Sequence, residues 1–203
     1  MTVAMSRVGR APVSLPAGVT GAVADGEVRV KGPKGNLAIK VPPGIAVALA
    51  NNTFTVTPLT TTRLKDRDLA SRHGLTRALI QNMVKGVVAV YERKIEMMGA
   101  GFRPVIAGNK LTMTLGFSHP VIINLPEGVT AKAEKVEAGA RGEEKHTVTL
   151  SGCDKGVVGE LAANIRRIKK ADVYKGKGIR YAGEVVRKKA GKAAATAGGT
   201  GGK

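Results

Sequence analysis

A strongly basic segment near the C-terminus has the residue types of a polyanion-binding site. Between Arg166 and Lys192 the chain carries eleven basic residues and two acidic ones, which gives this stretch a net charge of +9 out of +18 for the whole sequence. At its centre lies the sequence YKGKGIRY, residues 174–181. A field of this sign attracts polyanions, and nucleic acid is the class of partner that it favours.

The central sequence combines charge, backbone freedom and aromatic rings. In an extended backbone, side chains two residues apart lie on one face at a distance of about 6.7 Å. Lys175 and Lys177 therefore have a spacing that can follow a phosphodiester backbone, and such contacts read charge instead of base sequence. Gly176 and Gly178 permit a close main-chain approach to a ligand, and the two flanking tyrosines offer rings for unpaired bases. The alternative is a solvated basic tail.

Composition excludes several classes of protein. With 43% hydrophobic and 24% charged residues, the chain has enough apolar side chains for a folded core. No apolar run approaches the roughly 18–20 residues of a membrane-spanning helix, and the basic segment lacks the large apolar residues of an interfacial helix, so we expect no membrane partner. The lone Cys153 excludes an intrachain disulfide and a cysteine-rich zinc site. The N-terminus shows no secretory or transit signal, which favours the bacterial cytoplasm.

Motifs for catalysis, cofactors and metals are weak or missing. Gly99 to Gly101 begin like a dinucleotide-binding loop, but Pro104 follows and no long apolar strand precedes them. The glycine–lysine pairs of the basic segment lack the Ser or Thr of a phosphate-binding loop. The three histidines lie in separate segments without carboxylate or cysteine neighbours at ligand spacing. We therefore predict no catalytic residue, no enzyme activity, no cofactor, no metal and no small-molecule substrate.

The body of the chain is an internal duplication. Residues 32–45 match residues 116–129 at a constant separation of 84, so that Gly32 and Pro42 in the first copy align with Gly116 and Pro126 in the second. A later pair of segments, 75–83 and 157–165, matches at a separation of 82. Two copies of this length indicate a duplicated small domain, because a solenoid needs at least three repeats.

Each copy predicts strands followed by a helix. Alternating residues at 27–31 and an apolar run at 37–41 predict a hairpin, which residues 111–115 and 121–125 repeat, and further strands are predicted at 54–57 and 147–150. Two apolar stripes at helical spacing predict one helix in each copy, with Asp154 as the N-cap of the second. The stripes are Leu75, Ala78, Leu79, Asn82 and Met83, and Val157, Leu161, Asn164, Ile165 and Ile168.

These elements give an α+β fold class with two tandem duplicated domains, each a small, mostly antiparallel sheet packed by one helix, followed by a basic C-terminal arm. The predicted boundaries are an N-terminal basic extension at residues 1–10, a first repeat domain at 11–95 and a second at 96–174. Residues 175–203 are predicted to form a basic arm that contacts nucleic acid and an Ala/Gly-rich disordered tail.

Five short motifs resemble those of one ribosomal family. They are SRVG at 6–9, VKGPKG at 30–35, HGLTR at 73–77, GFSHP at 116–120 and YKGKGIRY at 174–181. From about Met5 to Lys192 the chain resembles large-subunit ribosomal protein six of the bacterial and organellar type. The resemblance implies binding to large-subunit rRNA, chiefly through the second domain and the tail. It also implies a position near the sarcin–ricin loop and the stalk base, beside neighbouring ribosomal proteins and translation factors, in a bacterial or organellar ribosome.

We therefore predict a structural, rRNA-binding constituent of the large subunit that supports translation and subunit assembly. With so few aromatic residues the sheets cannot be a stacking platform of the RRM type, so backbone and shape readout should dominate. The alternative is an RNA-modifying or regulatory RNA-binding protein outside the ribosome. The residues that we expect to contact rRNA are Arg166, Arg167, Lys169, Lys170, Tyr174, Lys175, Gly176, Lys177, Gly178, Arg180, Tyr181, Arg187, Lys188, Lys189, His119, His73 and Arg77.

Overall fold

Small antiparallel hairpins and one long helix build the first half of the chain, and a related set of elements builds the second. The computed structural model describes residues 6–59, 66–139 and 143–190, and the elements there confirm the α+β class. The chain divides into two units, residues 1–91 with 152–155 and residues 92–151 with 156–203. No helix within the described ranges is long and apolar enough to cross a membrane.

The first unit has two three-stranded sheets and one helix. The sheet orders are β1-β6-β5 and β2-β3-β4, with every neighbouring pair antiparallel. Two sheets per unit are more than the single sheet predicted, because strands such as β2 (TGAVA) lack the polar–apolar alternation that marks a half-buried strand. The elements are β1 (Val13–Ser14), β2 (Thr20–Ala24), β3 (Glu27–Gly32), β4 (Gly35–Lys40), β5 (Ile45–Ala50), β6 (Thr53–Pro58) and α1 (Asp66–Val88).

The buried face of α1 differs from the predicted stripe. Leu75, which we placed on the apolar face, is 56% exposed, whereas His73 and Thr76 are buried. Each polar side chain has a backbone oxygen as a partner, since Thr76 Oγ1 donates to Arg72 O at 2.8 Å and His73 Nε2 lies 3.0 Å from Val56 O, while the buried His73 Nδ1 has none among the described residues. The predicted stripe therefore shares only Met83 with the buried set. The buried set is Leu69, His73, Thr76, Ile80, Met83, Val84 and Val87.

The second unit has a three-stranded and a four-stranded sheet with one helix. The sheet orders are β10-β9-β8 and β11-β12-β7-β13. Asp154 directly precedes α2, the position predicted for its N-cap. The elements are β7 (Tyr91–Met98), β8 (Arg103–Ala107), β9 (Lys110–Thr114), β10 (Val121–Asn124), β11 (Val129–Gly139), β12 (Glu143–Gly152), α2 (Lys155–Ile168) and β13 (Gly178–Tyr181).

Strand β13 lies inside the segment that we predicted to be an arm. It pairs antiparallel with β7, with Ile179 opposite Met97, and both side chains are fully buried in the core of the second unit. Ile179 is the one large apolar residue between Lys175 and Arg180, and its burial draws the middle of the basic segment into the sheet. The Ala/Gly-rich tail beyond residue 190 lies outside the described residues.

Candidate nucleic-acid interface

The basic segment begins on the last turn of α2. The opposite side of this helix is buried through Val158, Leu161 and Ile165, which leaves Arg167 exposed and Arg166 half-buried. Arg166 Nε donates to Glu184 Oε2 at 3.1 Å, and its Nη2 donates to Glu184 Oε1. These contacts, together with the N–H of Tyr181, hold the pKa of Glu184 below its ordinary value. Arg166 is therefore committed to the fold and Arg167 is available to a partner.

Of the two predicted stacking rings, one is already covered. The guanidinium groups of Arg93 and Arg166 lie over the Tyr181 ring, 5.6 and 5.4 Å from its centroid. Tyr181 also packs against the hydrophobic core. Tyr174, by contrast, is 57% exposed. Only Tyr174 keeps the accessibility that a base-stacking role requires.

Residues 172–177 form a closed loop and not the extended strand that the lysine spacing suggested. Asp172 N–H donates to Lys177 O at 2.8 Å, and Gly176 N–H donates to Asp172 O at 2.9 Å. The Asp172 carboxylate accepts the N–H of Lys175 at 3.0 Å, and this bond is the main reason that the pKa of Asp172 is lowered. Gly176 has a φ of +77°, which a glycine adopts without strain. The loop is thus ordered by its own backbone while both lysine side chains are exposed.

Gly178 allows close packing within the second unit and is not available for a close approach to a ligand. It is buried with a φ of +141°, and a Cβ atom there would lie 2.6 Å from both Ala171 Cα and Lys170 O. The next residue, Ile179, donates its N–H to Lys169 O at 2.8 Å. The missing side chain therefore lets the end of the loop pass against residues 170–171, which enter it.

Arg180 is bound inside the second unit by a buried carboxylate. Its Nε and Nη2 atoms each lie 2.9 Å from Glu96 Oε2, and Lys145 Nζ lies 2.9 Å from Glu96 Oε1. Burial raises the pKa of Glu96, but the hydrogen bonds and charges of Lys145 and Arg180 outweigh it, and the pKa is lowered. Because its guanidinium group is bonded to Glu96, Arg180 contributes to the packing of the second unit.

Lys169 is held at the turn between β9 and β10. Its Nζ donates to Leu115 O and lies 5.0 Å from the Phe102 ring centroid and 4.8 Å from that of Phe117. The exposed His119 ring stacks with Phe117 at a centroid distance of 6.1 Å and an interplanar angle of 17°. Phe117 was missed in the sequence because it is neither charged nor part of the basic segment, although it lies in the same GFSHP motif as His119.

The chain after β13 returns to the 172–177 loop. Lys189 N–H donates to Val173 O at 2.9 Å, and a Cβ on Gly176 would lie 3.1 Å from Lys188 Cε. The side chains of Arg187, Lys188 and Lys189 are exposed. The structure thus brings the cations that follow β13 beside the lysines of the loop.

The two predicted contacts in the first unit belong to its packing. His73 has no exposed surface, and a Cβ on Gly9 would lie 2.5 Å from its ring, so the structure encloses its side chain in the first unit. Arg77 Nε donates to Ala11 O at 3.1 Å and its Nη1 donates to Gln81. It fastens the N-terminal segment to α1.

The predicted site therefore separates into structural and exposed residues. Four of its residues make contacts that stabilise the second unit: Arg166, Lys169, Arg180 and Tyr181. Within the described ranges, no group of acidic, histidine or cysteine side chains could hold a metal ion. The exposed members, which we call the basic surface, are Arg167, Lys170, Tyr174, Lys175, Lys177, Arg187, Lys188 and Lys189.

Comparison with known proteins agrees with the motifs. The family described as Ribosomal protein L6 matches residues 15–89 and again residues 98–182, one match for each copy of the duplication. The chain is 44% identical over 189 residues to the large ribosomal subunit protein uL6 of Picosynechococcus sp., which covers 93% of this chain and 98% of that protein.

Other bacterial relatives give the same result. The large ribosomal subunit protein uL6 of Syntrophomonas wolfei is 45% identical over 190 residues, covering 93% of this chain and 98% of its own. That of Protochlamydia amoebophila is 46% identical over 193 residues, covering 94% and 99%. The chain belongs to the ribosomal protein L6 family.

Proposed function

We propose that the chain is a structural constituent of the large ribosomal subunit that binds large-subunit rRNA through the basic surface of its second unit. Membership in the L6 family makes it a ribosomal protein and not an enzyme. The observation that supports the RNA-binding role is that the basic side chains fall into two groups, one bonded within the fold and one exposed to solvent. Those with carboxylate or carbonyl partners hold the second unit together, while Lys175 and Lys177 are exposed on a loop whose backbone is already closed.

The finer location follows from the same proposal. The second unit contacts rRNA near the sarcin–ricin loop and the stalk base, in the factor-binding region, with ribosomal proteins and translation factors as neighbours. There the protein supports translation and subunit assembly, in the ribosomes of the bacterial cytoplasm. A net charge of +18 favours such a position, because dense rRNA phosphate compensates the self-repulsion of the protein.

Sedimentation and cross-linking test this proposal. Tagged protein from cells should co-migrate with the large subunit after washing in high salt, and cross-links from Lys175 and Lys177 should map to large-subunit rRNA at the factor-binding region. Release of the protein by the wash would favour the regulatory alternative. Cross-links to rRNA elsewhere in the subunit would retain the RNA-binding role and refute the location.

A further inference from the structure

The turn between β9 and β10 is longer than its counterpart in the first unit. In the first unit, β3 ends at Gly32 and β4 begins at Gly35, so two residues close the antiparallel hairpin. In the second unit, six residues from Leu115 to Pro120 connect the equivalent strands. The two connections have the same number of residues, because residues 32–45 match residues 116–129 without a gap, so the strands of the second unit stop pairing earlier and leave more of the chain as a loop. Binding residues are found disproportionately on such loops.

The longer turn carries the stacked Phe117 and His119 rings. Its base is fixed, because Leu115 is fully buried and accepts a hydrogen bond from Lys169, whose ammonium group also lies over Phe117. Gly116, with a φ of +72°, turns the chain outward. The rings are therefore displayed on a rigid support and are not the side chains of a loose loop.

The exposure of Phe117 is unusual within this chain. The other two phenylalanines, Phe54 and Phe102, are 0% and 5% exposed, whereas Phe117 is 42% exposed. An aromatic ring is stabilised by burial, so leaving one in water on this loop has a cost that the free protein does not recover. A ligand with a flat apolar face would recover it.

We propose that the Phe117–His119 pair binds an unpaired nucleobase of RNA by stacking. The proposal rests on the RNA-binding function above and names the kind of nucleotide that one part of the second unit takes. Unpaired bases stack on phenylalanine and histidine, whereas the bases of a duplex present only their edges. Because every base has such a face, the contact favours single strands, loops and bulges without selecting one sequence.

The test compares two RNA probes across salt concentrations. One is a 12-nucleotide single strand containing one 2-aminopurine, whose fluorescence is quenched by stacking, and the other is the same strand in a duplex. The variants are Phe117→Ala, His119→Ala and the double variant. The matched control is Ile122→Ala, which truncates another exposed apolar side chain, 60% exposed, on β10 of the same hairpin.

We expect the single strand to bind the double variant about 5- to 150-fold more weakly than the wild type, since stacking contributes about 1–3 kcal/mol per base. The slope of log affinity against log salt should stay unchanged, because no phosphate contact is lost. The quenching should disappear, whereas the duplex affinity and the Ile122→Ala protein should match the wild type. Phe117→Leu keeps apolar bulk without a ring, so a loss of binding in this variant separates stacking from folding.

Equal losses on both probes, or wild-type binding by the double variant, would overturn the stacking proposal while the RNA-binding function stands. The second of these results would assign the exposed rings to a protein neighbour. Failure of the wild-type protein to bind either probe with salt dependence would instead refute the proposed function, and the stacking proposal with it.

Discussion

Replacement of Lys175 and Lys177 by alanine separates the exposed cations from those that hold the fold. Both lysine side chains are exposed on the 172–177 loop, and the hydrogen bonds that close this loop use backbone atoms and the Asp172 carboxylate. The double variant should therefore unfold at the wild-type midpoint. The matched variant is Arg180→Ala, which removes one charge from the same segment but leaves Glu96 with Lys145 as its remaining ion-pair partner.

The expected change in RNA binding follows from the number of phosphates lost. Each neutralised phosphate contributes about 0.7–0.9 to the slope of log affinity against log salt, so two lysines should lower the slope by about 1.4–1.8. Between about 50 and 200 mM salt, the affinity ratio of wild type to double variant should then shrink about tenfold. A wild-type salt series that runs parallel to that of the variant would refute the assignment of these lysines to phosphate.

The expected change in stability distinguishes the matched variant. Arg180 donates two hydrogen bonds to a carboxylate whose side chain is 12% exposed, and losing such a partner costs about 1–3 kcal/mol. For a chain of this size, each kcal/mol lowers the thermal midpoint by about 2–4 °C. Fluorescence anisotropy over a salt series and thermal unfolding monitored by circular dichroism provide the two readouts. An unchanged midpoint for Arg180→Ala would contradict the structural role of this residue.

Three further changes test individual contacts. Gly178→Ala should destabilise the second unit by about 2–4 kcal/mol in chemical unfolding, because a Cβ there meets backbone atoms at 2.6 Å and the φ is positive. Glu96→Gln should be less stable than wild type at neutral pH. Because the pKa of Glu96 is lowered in the folded protein, its ionised carboxylate stabilises the fold above the ordinary glutamate pKa of about 4.3. This stabilisation is lost as the pH falls through the pKa of the folded protein, so the unfolding free energies of wild type and Glu96→Gln should converge in acid. Asp172→Ala should speed amide hydrogen exchange at Lys175, whose N–H the carboxylate accepts.

Each of these changes has a control within the chain. Gly183 also has a positive φ, +81°, but no atom lies within 4 Å of an added Cβ, so Gly183→Ala should cost less stability than Gly178→Ala. An equal cost would remove the argument from close contact. Glu127→Gln alters an exposed carboxylate and should leave the unfolding free energy at neutral pH close to that of the wild type. Asp172→Asn keeps an acceptor oxygen, and exchange at Lys175 as fast as in the alanine variant would mean that the hydrogen bond does not order the loop.

Local patterns in the sequence predict the hairpins well. The predicted strands at 27–31 and 37–41 fall within two residues of β3 and β4, because both strands alternate in water exposure along their length. The prediction for α2 came closer to the buried face, since the predicted Leu161 and Ile165 are buried, although Asn164 is exposed. The prediction for α1 was rotated away from most of the buried face because buried His73 and Thr76 look polar in the sequence. Thr76 bonds to Arg72 O within the helix, but the partner of His73, Val56 O, lies on β6 and is not visible in the helical pattern.

The basic segment shows where charge alone stops being informative. In the sequence, Arg180 and Lys175 are equivalent cations separated by five positions. Their different roles come from Glu96, which lies 84 residues away from Arg180 in the chain and directly opposite it in the sheet. Because that pairing is a long-range contact set by β13, no local pattern distinguishes a structural cation from an exposed one. Phe117 was missed for a related reason, because its solvent exposure distinguishes it from the other phenylalanines and the sequence does not show exposure.

The closed loop at 172–177 also bears on how selective the protein can be among polyanions. A flexible basic peptide adapts to any arrangement of phosphates and loses about 1–2 kcal/mol of conformational freedom per ordered residue when it does so. Here the internal hydrogen bonds of Asp172 have already fixed the main chain, so the two lysines approach a partner with little left to order. A preorganised loop binds most favourably to a nucleic-acid backbone whose phosphates are already fixed in place. A folded RNA should therefore bind more tightly than an equally charged but disordered strand.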